Sequence, residues 1–572
     1  MHSWSCCVLK QKIALLYEVY ERCVEKMTDS RLRGLKIDIP KFQTEPLPET
    51  LQNVRGYTNL QTFFPTLANI FRLNKFQVED VAFHLKERIV QLDSSGVQGV
   101  CSIELNTGET REAYMKVTHL LDPSKWMQGY YSLPKDAGLP WHNKTWTTAW
   151  HKLQDPWNQA YVETVASYAL HKLRESKVSP HFNLFYGAYC AKAEVYRYNI
   201  NDEYGSYRNT NWFWKGSQRG LYSLNILNSE NPEEPVAEDI RQKFLTHPDL
   251  AENAALNEDE LEEISVEDVN EAESLHTASI ASASDAEEDD DDEEEDEEDE
   301  EDKYAIYADI PNFPVMLLLT ENNMDTMDML LDPQITGCEA GTQEWEDMWS
   351  AWIFQVVTAL CVMQKVLGMT HNDLHTNNIV WTTTEEEFLY YKNNKGQIWK
   401  VPTYGKIFRL IDFGRSIFTI NGKMFVSDDF RQGNDAAGQY SFTPLFSNPK
   451  EICPPNPSFD LARLAVSVFE ALFPERPANA PSKVILSEEE GMVVRESVSP
   501  LFNILWTWMV DEEDKNILME PDGTERYPDF DLYKRIAASC KNACPEEQIY
   551  KKPFSNFITE EPVTATCYPL FH

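Results

Sequence analysis

His371-Asn372-Asp373-Leu374-His375-Thr376-Asn377-Asn378 decides how this 572-residue chain is read. Before it, Trp345, Met348, Trp349, Trp352, Ile353, Val356, Val357 and Leu360 recur at the spacing of one helical face, and the stripe stops near Gly368. After it, Ile379-Val380-Trp381 is a β-branched and aromatic run that reads as a strand. A second cluster, Ile411-Asp412-Phe413-Gly414, closes a strand that begins near Ile407. Short polar side chains at the ends of regular elements are held by a scaffold yet left accessible, as functional groups require.

Upstream, the pattern between residues 83 and 120 is β: 87–92 (ERIVQL), 99–105 (GVCSIEL), a turn at 107–109 (TGE), then 113–117 (AYMKV), which carries Lys116. Ser94-Ser95-Gly96-Val97-Gln98-Gly99 joins the first two runs, either as an ordinary hairpin turn or as a degenerate glycine-rich loop with Ser94 in the first glycine's place. Asp155-Pro156 reads as a helix N-cap followed by a proline at the first helical position. Val162, Val165, Ala166, Ala169, Leu170 and Leu173 then mark one face of that helix, which also carries Glu163. Strand-like runs follow at 184–190 (LFYGAYC) and 315–319 (VMLLL). Leu461, Leu464, Ala465, Val468, Phe469 and Leu472 mark a further helix, and the second half is expected to be mostly helical.

The two clusters, H-x-D-x-x-x-x-N at 371–378 and D-F-G at 412–414, in that order and on those elements, resemble the paired signature of the protein-kinase superfamily. The resemblance covers roughly residues 80–480 and implies an α+β, two-lobed fold, with a small antiparallel-sheet lobe, a larger mainly helical lobe, and ATP and Mg²⁺ between them. In that family's terms Asp373 would face the acceptor hydroxyl as base, and Asn378 and Asp412 would hold Mg²⁺. Lys116 would bind the α/β-phosphates and Glu163 would pair with it, the competing reading of Glu163 being a solvated helix residue. Gly96 and Gly99 would lie over the triphosphate, and residues 320–323 (TENN), Glu321 among them, would be the hinge on adenine. Asp460 would hold the backbone of the 371–378 loop, or be a plain helix N-cap. The implied activity is phosphoryl transfer to protein Ser or Thr.

The departures from the pattern carry their own expectations. Asn372 replaces the Arg of H-R-D, which removes the usual cation for a phosphate on the loop after D-F-G. A phosphate on Ser416, Thr419 or Ser427 would find no partner in the catalytic loop, so activity is expected to be constitutive, with Arg415 or Arg431 the first substitutes to consider. His375 stands where a phosphate-binding Lys is common, and no A-P-E occurs between Gly414 and Asp460. In these respects the chain is similar to atypical kinases. His371–His375 (HNDLH) also resembles choline/ethanolamine kinases and aminoglycoside phosphotransferases, and residues 523–545 resemble kinase-like proteins of large nucleocytoplasmic DNA viruses. The rival functions are therefore a small-molecule kinase and a pseudokinase scaffold.

The chain has 93 acidic and 51 basic residues, but residues 228–302 alone hold 33 acidic against 2 basic. Sixteen consecutive carboxylates at 287–302 repel one another and stay solvated, so 228–302 is expected to be a disordered insertion that interrupts a sheet. It suits basic protein partners, with Ser282 and Ser284 in an acidophilic-kinase context. The acidic balance argues against direct nucleic-acid binding. Eleven cysteines without a C-x-x-C pair point to a reducing cytoplasmic or nuclear compartment, in a host cell or virion if the protein is viral. Cys540 and Cys544, four apart, are expected on one helical face. No uninterrupted apolar run approaches the ~18 residues of a membrane span, and no membrane association is expected. The expected organisation is an extension over 1–75, a small lobe over 76–325 with the insertion, and a larger lobe with a C-terminal helical segment over 326–572. His142, His151, His171 and His181 lack metal-ligand spacing and are expected to be structural.

Overall fold

Along Gly99–Leu105 the side chains of Cys101, Ile103 and Leu105 are buried while Val100, Ser102 and Glu104 face outward, the period of two that commits a segment to one face of a sheet. This is visible in a computed structural model that describes residues 42–44, 47–71, 81–132, 139–140, 147–229, 231, 234–245, 303–447, 449–489 and 491–570. The N-terminal amphipathic segment, the sixteen-carboxylate run, Ser282, Ser284 and His142 lie outside these residues.

Seven strands form one antiparallel sheet: β1 (Tyr57–Gln61), β2 (Ile89–Asp93), β3 (Gly99–Leu105), β4 (Thr110–His119), β5 (Phe185–Asn199), β6 (Ser223–Asn228) and β7 (Tyr304–Glu321). The order is β1-β5-β7-β4-β3-β2, with β6 added to the far end of β7. Register sets the chemistry, since Lys116 lies opposite Leu318 on β7 and its face is fixed by the alternation of β4, where Ala113 and Met115 are buried on the opposite side. The segment before the expected boundary at residue 75 supplies β1 to this sheet, pairing Tyr57 with Ala193. The acidic segment leaves and returns at one point, where Asn228 pairs with Tyr304 and the Ser229 N–H donates to Lys303 O at 2.9 Å. It interrupts a sheet, as expected, but its start is ordered. Glu238–Leu245 is helical, and Phe244 is buried against Tyr204 and Tyr304, an apolar anchor hidden among the acids.

Helix α1 (Gln159–Glu175) packs on the sheet, and its Val162, Val165, Ala166, Ala169, Leu170 and Leu173 are buried as expected. Its cap is Asn158, whose Oδ1 accepts the Ala160 N–H at 3.1 Å, and Asp155 instead accepts the Trp157 N–H at 3.0 Å. The turn after Pro156 delays the helix by one residue trio, so the sequence-read cap lies too early.

In the second half α2 (Gln343–Leu367) is the central helix and ends where Gly368 takes φ +56°, a conformation glycine adopts without a Cβ penalty. By length and composition α2 could cross a membrane, contrary to the expectation from uninterrupted runs. Its apolar window tolerates Ser350, Gln355 and Thr358, and 89% of it is buried inside the protein. Two of its buried polar side chains are matched: Trp352 Nε1–H donates to Thr403 O at 3.1 Å, and Gln355 bonds both Lys406 O and the Phe408 N–H. Two more strands, β8 (Ile379–Thr383) and β9 (Lys406–Leu410), pair antiparallel against it. Helices α3 (Phe459–Leu472), α4 (Pro500–Trp508) and α5 (Phe530–Ser539) complete this half. It is less helical than expected, because Phe388–Asn393 and Ile398–Pro402 form a hairpin joined by Ile558–Thr559 and Cys567–Leu570. Cys540 ends α5 and Cys544 precedes the next short helix, so the two do not share a helical face.

Candidate active site

Three elements meet at Lys116. The Nζ lies 2.7 Å from Glu163 Oε1 on α1 and 2.8 Å from Asp412 Oδ1, just beyond β9. Glu163 is buried, with 3% of its side chain exposed, which excludes the solvated-residue reading. Burial raises the Glu163 pKa, and Lys116 works against that rise. For Lys116 burial opposes the charge, but Asp412 and Glu163 more than offset it and hold the ammonium above its ordinary range. Asp412 likewise is pushed up by burial, and Lys116 overrides that to leave a pKa of about 2. Asp412 has φ +62°, a left-handed conformation that Asp tolerates better than most residues, so its carboxylate is aimed by backbone geometry as well as by its partner.

The 371–378 loop starts where α2 has ended. Asp460, in the first turn of α3, accepts the His371 N–H at 3.0 Å and the Asn372 N–H at 2.8 Å. It makes no cap bond, so the loop-holding reading stands and the N-cap reading falls. His371 Nδ1 accepts the Asp373 N–H at 3.3 Å, which leaves Nε2–H to donate to Ile411 O at 2.8 Å and links this loop to the Asp412 turn. Asn372, at φ +68°, is buried rather than facing solvent: its Nδ2 donates to Arg415 O at 2.9 Å and its Oδ1 accepts from Tyr440 OH at 2.8 Å. Asn378 Nδ2 donates to Asp373 O at 2.8 Å and stands 3.1 Å from His375 Nε2, which closes the loop on itself. Burial lowers the pKa of His375, which favours the neutral ring.

Asp373 Oδ1 accepts from Tyr533 OH on α5 at 2.9 Å and lies 3.3 Å from Arg415 Nη1. Arg463 stacks over the same Tyr533 ring at 4.9 Å. Neither Tyr533 nor Arg463 carried a sequence signal, because their roles depend on how α3 and α5 pack. Arg415 was visible only as a cation near the D-F-G turn.

A cleft of about 420 Å³ is lined by residues of the sheet, of α1 and of β8 and β9, among them Tyr114, Lys116, Glu163, Leu318, Thr320, Val380, Leu410 and Asp412. Glu321, expected as an adenine contact, is at its edge, but its carboxylate is taken by Arg174 at 2.8 Å and Arg409 at 3.2 Å. It ties α1 to β9 instead. The loop joining β2 and β3 has Gly96 at φ +93° and Gly99 at φ +142°, yet the cleft is lined by Gln98 and Val100 and not by these glycines. Gly96 backs onto the N-terminal segment so closely that a Cβ on Gly56 would sit 2.8 Å from Gly96 O. Among the described residues no group of three or more His, Cys, Asp or Glu forms a metal cage. Asn378 and Asp412 are a carbonyl and a carboxylate, hard oxygen donors of the kind that hold Mg²⁺ together with substrate phosphates rather than alone. No protein-family model matches this chain, and neither does any curated protein sequence.

Proposed function

We propose that this protein is an ATP-dependent phosphotransferase acting on protein Ser or Thr hydroxyls. The observation that carries the reading is the convergence of Lys116, Glu163 and Asp412 within 2.8 Å of one ammonium, from three elements far apart in sequence. Glu163 is buried beneath the partly exposed Lys116 and Asp412; a buried carboxylate is costly unless it is paired, and perturbed groups at a cleft mark functional sites. The small sheet with α1, stacked over a half built on α2, also agrees with the two-lobed arrangement implied by the motifs.

In this reading Lys116 binds the α/β-phosphates, with Glu163 keeping it extended into the cleft. Asn378 and Asp412 hold Mg²⁺, whose charge offsets that of the phosphates. Asp373 orients the acceptor hydroxyl and takes its proton, while Tyr533 and Arg415 fix the carboxylate from one side, on Oδ1. Leu318, Thr320, Val380 and Leu410 provide the apolar walls for a planar base. The test is transfer of label from γ-labelled ATP by purified protein to a panel of basic and acidic proteins, choline, ethanolamine and aminoglycosides. Label on protein Ser or Thr supports the reading, label on a small molecule replaces the acceptor class, and no transfer with intact ATP binding favours a scaffold.

A further inference from the structure

Ser427-Asp428-Asp429 forms a short turn after the hairpin Ile417–Ile420 and Lys423–Val426. Its two carboxylates are adjacent in sequence and buried, 2% and 6% exposed, yet they point to different parts of the site. Asp428 Oδ1 accepts the N–H of Gln159, the first residue of α1, at 3.0 Å, and its Oδ2 lies 2.6 Å from Lys152 Nζ. The Asp428 N–H also donates to Trp157 O at 2.8 Å, so backbone and side chain both grip the start of the helix that carries Glu163. Asp429 Oδ2 accepts from Arg415 Nε at 2.8 Å, and the same guanidinium reaches Asp373 Oδ1 at 3.3 Å. Arg431, two residues on, pairs with Asp155 in the turn before α1.

Removing two carboxylates from water is costly unless cations and N–H groups meet them, so this turn has one well-defined seat. Burial raises the pKa of both, and Lys152 and Arg415 work against the rise. The cations that could receive a phosphate on this segment are already engaged, Arg415 by Asp373 and Asp429, Arg431 by Asp155, and Lys152 by Asp428. Ser416 and Ser427 are buried, with Ser416 Oγ donating to Phe413 O at 2.7 Å and Ser427 Oγ accepting the Asp429 N–H at 3.2 Å.

We infer that Asp428 and Asp429 are positioning residues that hold α1 and Asp373 in mutual register, a built-in pair of carboxylates that keeps the site assembled without phosphorylation. The inference rests on the phosphotransferase reading for its kinetic consequences but not for its structural ones. Asp428 acts through α1 on the Glu163–Lys116 pair, and so on nucleotide binding. Asp429 acts through Arg415 on Asp373, and so on turnover.

The test uses the full chain with Asp428→Asn and Asp429→Asn, each nearly isosteric, and Lys152→Met and Arg415→Gln as second variants cutting the same bridges from the other end. Asp429→Asn and Arg415→Gln should lower kcat ~10–100-fold with KM for ATP changed less than about twofold, the scale of lost supporting hydrogen bonds. Asp428→Asn and Lys152→Met should instead raise KM for ATP by about tenfold. Hydrogen exchange gives a readout independent of activity: amides 159–163 should exchange faster in the Asp428 variant, and amides 373–378 in the Asp429 variant. Phosphatase treatment of the wild type should change neither constant. If the wild type transfers no phosphate but the exchange pattern holds, the phosphotransferase reading fails and the positioning role survives. Unchanged exchange in both segments, or loss of activity on phosphatase treatment, overturns the inference.

Discussion

Loops 371–378 and 94–99 are held in opposite ways: Gln98 of the second, the upper one, lines the cleft, whereas the first, the lower one, reaches it only through the Ile411–Asp412 turn that His371 holds. In the lower loop, Asp460 takes two backbone N–H groups, His371 bonds Ile411 O, and Asn372 is fixed by Arg415 and Tyr440. In the upper loop the bonds are sparse: the Gly96 N–H donates to Ser94 Oγ at 3.3 Å, Gln98 Oε1 accepts the Val117 N–H at 3.0 Å, and Val97 is 62% exposed. A loop that must aim charges to a fraction of an ångström is over-determined by its partners. A loop that must admit and release a ligand is drawn from the least stable parts of a fold.

The largest way to break this contrast is at the Asp412 end of the floor. Asp412→Asn removes the charge that faces Lys116 and would face Mg²⁺, several kcal/mol of charge stabilisation, and turnover should fall about a thousandfold. Calorimetric titration should show ATP binding that no longer depends on Mg²⁺; retained dependence would move the metal site elsewhere. Next comes Asp460→Asn, which leaves the buried His371 or Asn372 N–H without an acceptor and should cost about 1–3 kcal/mol in denaturant unfolding. A loss below ~0.5 kcal/mol would show that the floor is not held through α3.

A pH titration sharpens the same point. His181 lies beneath β9, its Nδ1 2.7 Å from Phe408 O and its Nε2 2.7 Å from Tyr391 OH, and burial lowers its pKa to about 3. The unfolded chain binds a proton on this ring below about pH 6.5 and the folded chain does not until about pH 3, so the folded state loses stability as pH falls through that window. The slope should reach ~1.4 kcal/mol per pH unit for this one group, and His181→Gln should flatten the curve by that amount between pH 6 and 4.5. The smallest effect is expected in the roof. Gly96→Ala forces a side chain into φ +93° with Arg55 Cγ 3.3 Å away, and should cost about 1 kcal/mol in denaturant unfolding with little change in kcat or ATP affinity, because the cleft is lined by Gln98 and Val100 and not by Gly96.

What could be read in the sequence was what depends on local pattern. Alternation set β3 and β4 in place, the continuous apolar run 315–319 marked the middle of β7, the apolar stripe and Gly368 set α2, and the two motifs named Asp373, Asn378 and Asp412. Lys116 and Glu163 meet as expected, although 46 residues separate them, because α1 must bury its apolar face on the sheet that carries Lys116. Long-range packing was not legible. Tyr533 reaches Asp373 only because α5 docks beside α3, and Phe244 anchors a helix inside a stretch whose composition reads as solvated. The hairpin at 388–402 alternates, as FLYYKN and IWKVP, but over runs much shorter than the helical stripes on either side of it. Glu321 was assigned to adenine by position alone, and its ion pairs with Arg174 and Arg409 depend on partners from α1 and β9.

The central claim is that the 371–378 loop, beside the Asp412 turn that lines this cleft, serves phosphoryl transfer with Asp373 as the base. Its most direct test is a paired measurement on wild type and Asp373→Asn: the dissociation constant for Mg-ATP, and the rate of γ-phosphoryl transfer to the acceptor found in the panel. Asp373 touches neither Lys116 nor Asp412, so nucleotide affinity should stay within about twofold while turnover falls ~10²–10⁴-fold, the scale of a lost general base. Turnover equal to wild type in the Asp373→Asn protein would contradict the assignment of this residue and, with it, the account of the site.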